Sequence, residues 1–111
     1  MNPPNYSKNE TGISGVYIWI GPKPPQHWYR IKISNKNSFF DKNDCFVLTI
    51  PDFDIIGDNK IDNKKLKLIK EFIKLNLKSI MDYEDEKILT DEFEELIIKV
   101  DINENYQEFQ L

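Results

Sequence analysis

The chain has 111 residues, of which 40% are hydrophobic and 13% aromatic, enough to fill one modest core in a single domain and too rich in aromatics for wholesale disorder. It carries 15 basic and 19 acidic side chains, a net charge of −4, no apolar run near the roughly 18 residues of a membrane helix, and one cysteine, Cys45, with no second cysteine to bridge. These features argue against a membrane-spanning, disulfide-stapled or strongly basic protein, and the polar stretch from Met1 to Ser7, which lacks an apolar signal core, gives a cytoplasmic expectation.

Residues 1–11 are polar and carry two prolines, which predicts a flexible N-terminal arm ahead of a single α+β domain over 12–111. Val16-Tyr17-Ile18-Trp19-Ile20, between Gly15 and Gly21, reads as a strand covered on both faces. Pro22-Lys23-Pro24-Pro25 forbids regular structure and gives a stiff connection. From Trp28 to Ser34 the pattern alternates: Tyr29, Ile31 and Ile33 point to the core, and Trp28, Arg30 and Lys32 point away. Asn35 to Asp44 reads as a hairpin loop around Phe39-Phe40, Cys45 to Ile50 as the next strand, and Ile55-Ile56 as a short fourth strand or a packed turn.

After Asp62 the period changes. Leu66, Ile69, Ile73, Leu77 and Ile80 recur at three- and four-residue steps with lysines opposite, which predicts an amphipathic helix over 63–81, capped by Asp62 or Asn63. A second helix is expected from a Thr90 cap, with Asp91 and Glu92 at the positive end of its dipole and Phe93, Leu96, Ile97 and Val100 as its apolar stripe. The remainder to Leu111 is an edge strand or a mobile tail. Strands followed by helices give an α+β fold: a three- to four-stranded antiparallel sheet followed by two helices packed on it.

Charge is distributed unevenly. Residues 82–111 hold 11 of the 19 acidic side chains against only Lys87 and Lys99. Glu84, Asp85, Glu86, Asp91, Glu92, Glu94 and Glu95 either form a surface for a basic partner or screen the chain's own lysines. The lysine face of the long helix (Lys64, Lys65, Lys67, Lys70, Lys74, Lys78) reads as solvated. The chain has no alanine and one arginine, a usage typical of AT-rich coding sequence that reduces the weight of lysine runs as phosphate-binding evidence.

The only histidine, the only arginine and both tryptophans lie between Trp19 and Arg30. Trp28 offers a rigid contact surface and Arg30 a planar fork for carboxylate or phosphate, so both are candidate partner-binding residues. The favoured structural reading makes Trp28 core, under a covered outer sheet face, and pairs Arg30 with the acidic region. His27 and Cys45 form a catalytic pair only if the fold brings them together, and Cys45 opens an apolar strand, where cysteine is usually inert. Asp52 to Asp62 has a calcium-loop glycine at Gly57, but Ile56 and Asn63 replace oxygen ligands, so a turn and helix cap is the better reading. Asn76 falls inside the apolar arc of the long helix and must find partners, at a strand end or in the Asp82–Lys87 turn. Glycine-rich phosphate loops, Ser-His-Asp ordering and CxxC pairs are all lacking, so neither a metal nor a cofactor is expected.

Pro24-Pro25, His27, the Cys45–Ile50 strand and the Leu66–Leu77 helix resemble, in order, a family of small uncharacterised bacterial proteins encoded in toxin–antitoxin-like gene pairs. Tyr29 stands where that family has a second histidine. The functional expectation is a small acidic protein-binding module, inhibitor- or antitoxin-like, including phage and anti-CRISPR inhibitors. It would act by occluding a basic partner such as a nuclease or other nucleic-acid-binding protein. The alternatives are a nucleic-acid binder using Trp28, Arg30 and lysines, and a small enzyme using His27.

Overall fold

A computed structural model describes residues 5–101. Five strands form one antiparallel sheet in sequential order: β1 (Asn5–Tyr6), β2 (Ile18–Trp19), β3 (Arg30–Ser34), β4 (Cys45–Thr49) and β5 (Ile55–Ile56). A one-turn helix, α1 (Lys8–Thr11), joins β1 to the segment before β2, and α2 (Asn63–Leu75), α3 (Leu77–Glu84) and α4 (Thr90–Leu96) follow the sheet. The α+β class holds, with five strands rather than three or four.

The β3–β4 ladder is the longest, running from Arg30↔Thr49 to Ser34↔Cys45. Its alternation is the expected one: Ile31, Ile33, Phe46 and Leu48 are buried, while Lys32 and Val47 lie on the other face. Ile18 opposite Ile33, and Ile33 opposite Phe46, carry the apolar row across the centre of the sheet. Leu66, Ile69, Phe72, Ile73, Ile80, Tyr83 and Phe93 from the three later helices close over that row in one core. Tyr83 and Phe93 stack with centroids 4.5 Å apart, which locks α4 against α3.

Three expectations about the elements themselves change. Within the segment read as a loose arm, residues 5–11 belong to the fold: Tyr6 and Thr11 are buried, and Asn5 pairs with Trp19. A Ser7–Glu10 capping box organises α1, with Ser7 N–H donating to Glu10 Oε1 at 2.8 Å. The strand around β2 is covered on one face only; Val16, Ile18 and Ile20 are buried, whereas Tyr17 and Trp19 are half-buried.

The long helix, as the third change, breaks at Asn76, where the backbone turns to φ −118°. Asn76 is 2% exposed. Its side-chain NH2 donates to Phe72 O at 2.8 Å and to Ile98 O at 2.9 Å, and its Oδ1 accepts Ile98 N–H at 2.7 Å. The amide thus acts as a short piece of strand for the chain leaving α4, which is a different partner from the strand end or the 82–87 turn. Asp62 caps α2 through Lys65 N–H at 2.8 Å, as its position suggests. Thr90 does not cap α4; Leu89 holds that position, and Thr90 Oγ1 pairs with Tyr83 Oη at 2.9 Å. Ile102 to Leu111, read as an edge strand or tail, lies outside the described residues.

Candidate interaction surfaces

The predicted acidic residues divide into two groups. Glu84 and Asp85, at the end of α3, turn inward and fasten the proline loop. Lys23 N–H donates to Glu84 O at 3.0 Å, and Arg30 N–H donates to Glu84 Oε1 at 3.0 Å. Tyr29 Oη donates to Asp85 Oδ2, and Lys23 Nζ lies 3.4 Å from Asp85 Oδ1 and 4.8 Å from the Tyr29 ring centroid. This clasp fixes both ends of the Pro22–Tyr29 connection onto the end of α3.

Burial pushes the Glu84 carboxyl up to about 7, against the partial opposing pull of the Arg30 N–H and the nearby cations. Its second oxygen, Oε2, is buried without a hydrogen-bond partner among the described residues. The hydrogen bond from Tyr29 holds Asp85 below the usual carboxylate range, and the same bond raises the Tyr29 phenol. These two residues are therefore structural, and the partner-facing role expected for them does not fit their geometry.

The second acidic group faces outward. Glu86 and the α4 residues Asp91, Glu92, Glu94 and Glu95 are exposed. Among the described residues none of these five makes an ion pair; the pairs present are Lys23–Asp85, Lys36–Asp44, Lys60–Asp44 and Lys78–Asp82. Beside the acids, Leu89 is 78% exposed, and Leu96 and Ile98 are about half exposed. Leu89, Glu92 and Leu96 follow at three- and four-residue steps, so acid and apolar groups share one stripe.

Trp28 is 81% exposed, which overturns its assignment to the core. The reason is topological: all three later helices land on the same side of the sheet, and no described element covers the other side. Arg30 does meet the acidic region, but through its backbone N–H. Its guanidinium instead contacts His27 Nδ1, which takes the acceptor role, and makes no ion pair among the described residues. The register lines up Asn5, Trp19, Lys32, Val47 and Ile56 across the outer face of all five strands. Lys32 Nζ sits 5.0 Å above the Trp19 ring.

His27 and Cys45 do not form a catalytic pair. His27 precedes the Arg30 end of the β3–β4 ladder, and Cys45 lies at the other end, about 13 Å away along the strand. Burial raises the Cys45 thiol, which donates weakly to Lys42 O at 3.6 Å. Among the described residues no group of three or more His, Cys, Asp or Glu side chains is arranged to hold a metal ion. The Asp52–Asp62 stretch supplies β5 and the α2 cap. No helix among the described residues is long and apolar enough to cross a membrane.

Comparison with protein-family models, curated proteins and solved structures finds no match to this chain.

The pairing of Arg30 with the acidic region was expected from the sequence, but its partner Glu84 and its use of the backbone N–H were not, because the two residues are 54 apart and their meeting follows from where α3 ends. The one available signal was the concentration of acids at the C-terminal end against a lone arginine.

Proposed function

We propose that this protein is a binding module of the inhibitor or antitoxin kind, and that the outer surface of α4 docks on a basic protein and occludes it. The observation that carries this reading is the set of exposed α4 carboxylates, Asp91, Glu92, Glu94 and Glu95, free of ion pairs to described residues and flanked by exposed Leu89, Leu96 and Ile98. Isolated surface acids are ordinary. Acids interleaved with large apolar groups supply what a specific interface needs: charge to orient and steer the partner, and apolar area to hold it.

A nucleic-acid-binding enzyme presents a cationic groove that such a surface can fill, and the mechanism is steric with no bond chemistry. A basic partner of this kind also agrees with the resemblance to proteins encoded in toxin–antitoxin-like pairs. The test is affinity capture from the native host with the wild-type chain and the E92K/E94K/E95K variant. The expected result is a basic protein retained by the wild type, released by high salt and absent from the variant. Equal retention by the variant overturns the reading.

A further inference from the structure

The outer face of the sheet carries two shallow grooves that lie on either side of the Lys32–Val47 pair. The first, of about 200 Å³, is bounded by His27, Trp28, Arg30, Val47, Thr49 and Ile56. The second, of about 550 Å³, is bounded by Trp19, Lys32, Phe39, Phe40 and the Asp41–Lys42 turn. Lys32 and Val47 are direct cross-strand partners, so the two grooves form one track over the five strands, about 19 Å across at ordinary strand spacing.

The chemistry of this track differs from that of the rest of the chain. Among the described residues, the charged side chains lining it are Arg30, Lys32 and Lys42 against Asp41, a local excess of positive charge in a molecule of net charge −4. Asp41 is already engaged, since its Oδ1 accepts Asn43 N–H at 2.9 Å. Aromatic rings flank the cations at both ends, with Trp28 and Phe39 well exposed. The Arg30 guanidinium is steadied by His27 and free of carboxylates among the described residues. Tyr29, one residue away, is clamped to Asp85, so the segment carrying Trp28 and Arg30 is held in place before any ligand arrives.

We propose that this face binds single-stranded nucleic acid, with bases stacked on Trp28 and the Phe39–Phe40 turn and phosphates met by Arg30, Lys32 and Lys42. Flat aromatic groups on an open sheet, interleaved with cations, suit a polyanion whose bases are unstacked and free to lie on a ring. A duplex hides its bases and offers phosphates only. The track has room for a short run of about four nucleotides, and Thr49 and Gln26 provide hydrogen-bonding groups at the Trp28 end.

The test is fluorescence anisotropy of labelled 12-nucleotide oligouridylate, oligodeoxyuridylate and a duplex of equal length, titrated with the full chain at low salt. Either single strand should bind more tightly than the duplex, and a preference between them names the sugar. W28A/R30A should weaken binding by at least about tenfold, whereas W28F, which keeps a ring, should retain most of it. R30A alone should reduce the steepness of the salt dependence by about one phosphate contact. Far-UV circular dichroism should be unchanged in each variant, because the Trp28 side chain is exposed and that of Arg30 lies on the outer face of β3, away from the core. The proposal is overturned if neither single strand binds, if the duplex is preferred, or if W28A/R30A binds as the wild type does. It is also overturned if the face is instead occupied by a second copy of the chain, seen as a W28A/R30A-sensitive dimer that no oligonucleotide displaces.

Discussion

Oε1 of the buried Glu84 side chain accepts the backbone N–H of Arg30 at 3.0 Å, while the backbone carbonyl of Glu84 accepts Lys23 N–H at the same distance. A single residue at the end of α3 therefore holds the proline loop at its start and at its junction with β3. The orientation of Trp28 and the Arg30 guanidinium on the open face depends on that hold.

Glu84 makes stability depend on pH. Its carboxyl moves from 4.5 to about 7 on burial, so the folded state binds a proton more tightly than the unfolded state. Stability is accordingly greatest below pH 4.5 for this group, declines as pH rises through about 7, and is flat above, a change on the order of 3 kcal/mol. Glu84→Gln keeps an oxygen for Arg30 N–H and removes the buried charge. Urea unfolding of this variant should show the decline between pH 5 and 7 abolished and stability at pH 8 above that of the wild type. An unaltered pH profile in the variant would assign the dependence elsewhere.

Asn76→Ala removes three hydrogen bonds and leaves the Ile98 N–H and C=O unpaired near the core. The expected cost is about 1–3 kcal/mol in urea unfolding, together with faster amide exchange at Ile98. Asn76→Asp should cost more, because a carboxylate would face the Phe72 and Ile98 carbonyl oxygens that the amide now donates to.

Gly12 sits at φ +81°, and a Cβ there would come within 2.5 Å of Val100 O. Val100 N–H donates to Thr11 O at 2.9 Å, so the chain beyond α4 crosses the end of α1 at this point. Gly12→Ala should destabilise by more than about 1 kcal/mol and loosen the 97–101 segment, measured by thermal unfolding and by exchange at Val100.

The α4 acids separate folding from binding. Glu92, Glu94 and Glu95 are exposed and make no ion pairs with described residues, so E92K/E94K/E95K should melt within a few degrees of the wild type. A large drop in melting temperature would mean that these carboxylates serve the fold, and loss of partner capture by the variant would then have no bearing on the interface.

Particular elements show what could be read in advance. Ile31 and Ile33 announced β3 by strict alternation, and Leu66, Ile69 and Ile73 announced α2, because each period leaves one apolar face that has to be covered. Asp62 was legible as a cap, since its side chain serves a donor only three residues on. β1 was not legible: two residues carry no period, and they are a strand only because Trp19 and Ile18 pair with them. Asn76 stood out as a polar group in an apolar arc, but its partner lies 22 residues away and depends on the path of the chain after α4.

The amino-acid order by itself determined which faces of β3, β4 and α2 must be buried, and that the negative charge gathers at the C-terminal end, because both follow from local spacing. Only the packed chain decided that every later helix falls on one side of the sheet, leaving Trp28 and Arg30 in solvent, and that Glu84 and Asp85 turn inward while the α4 acids remain outside. Those outcomes depend on contacts between residues more than fifty positions apart, which no local pattern encodes.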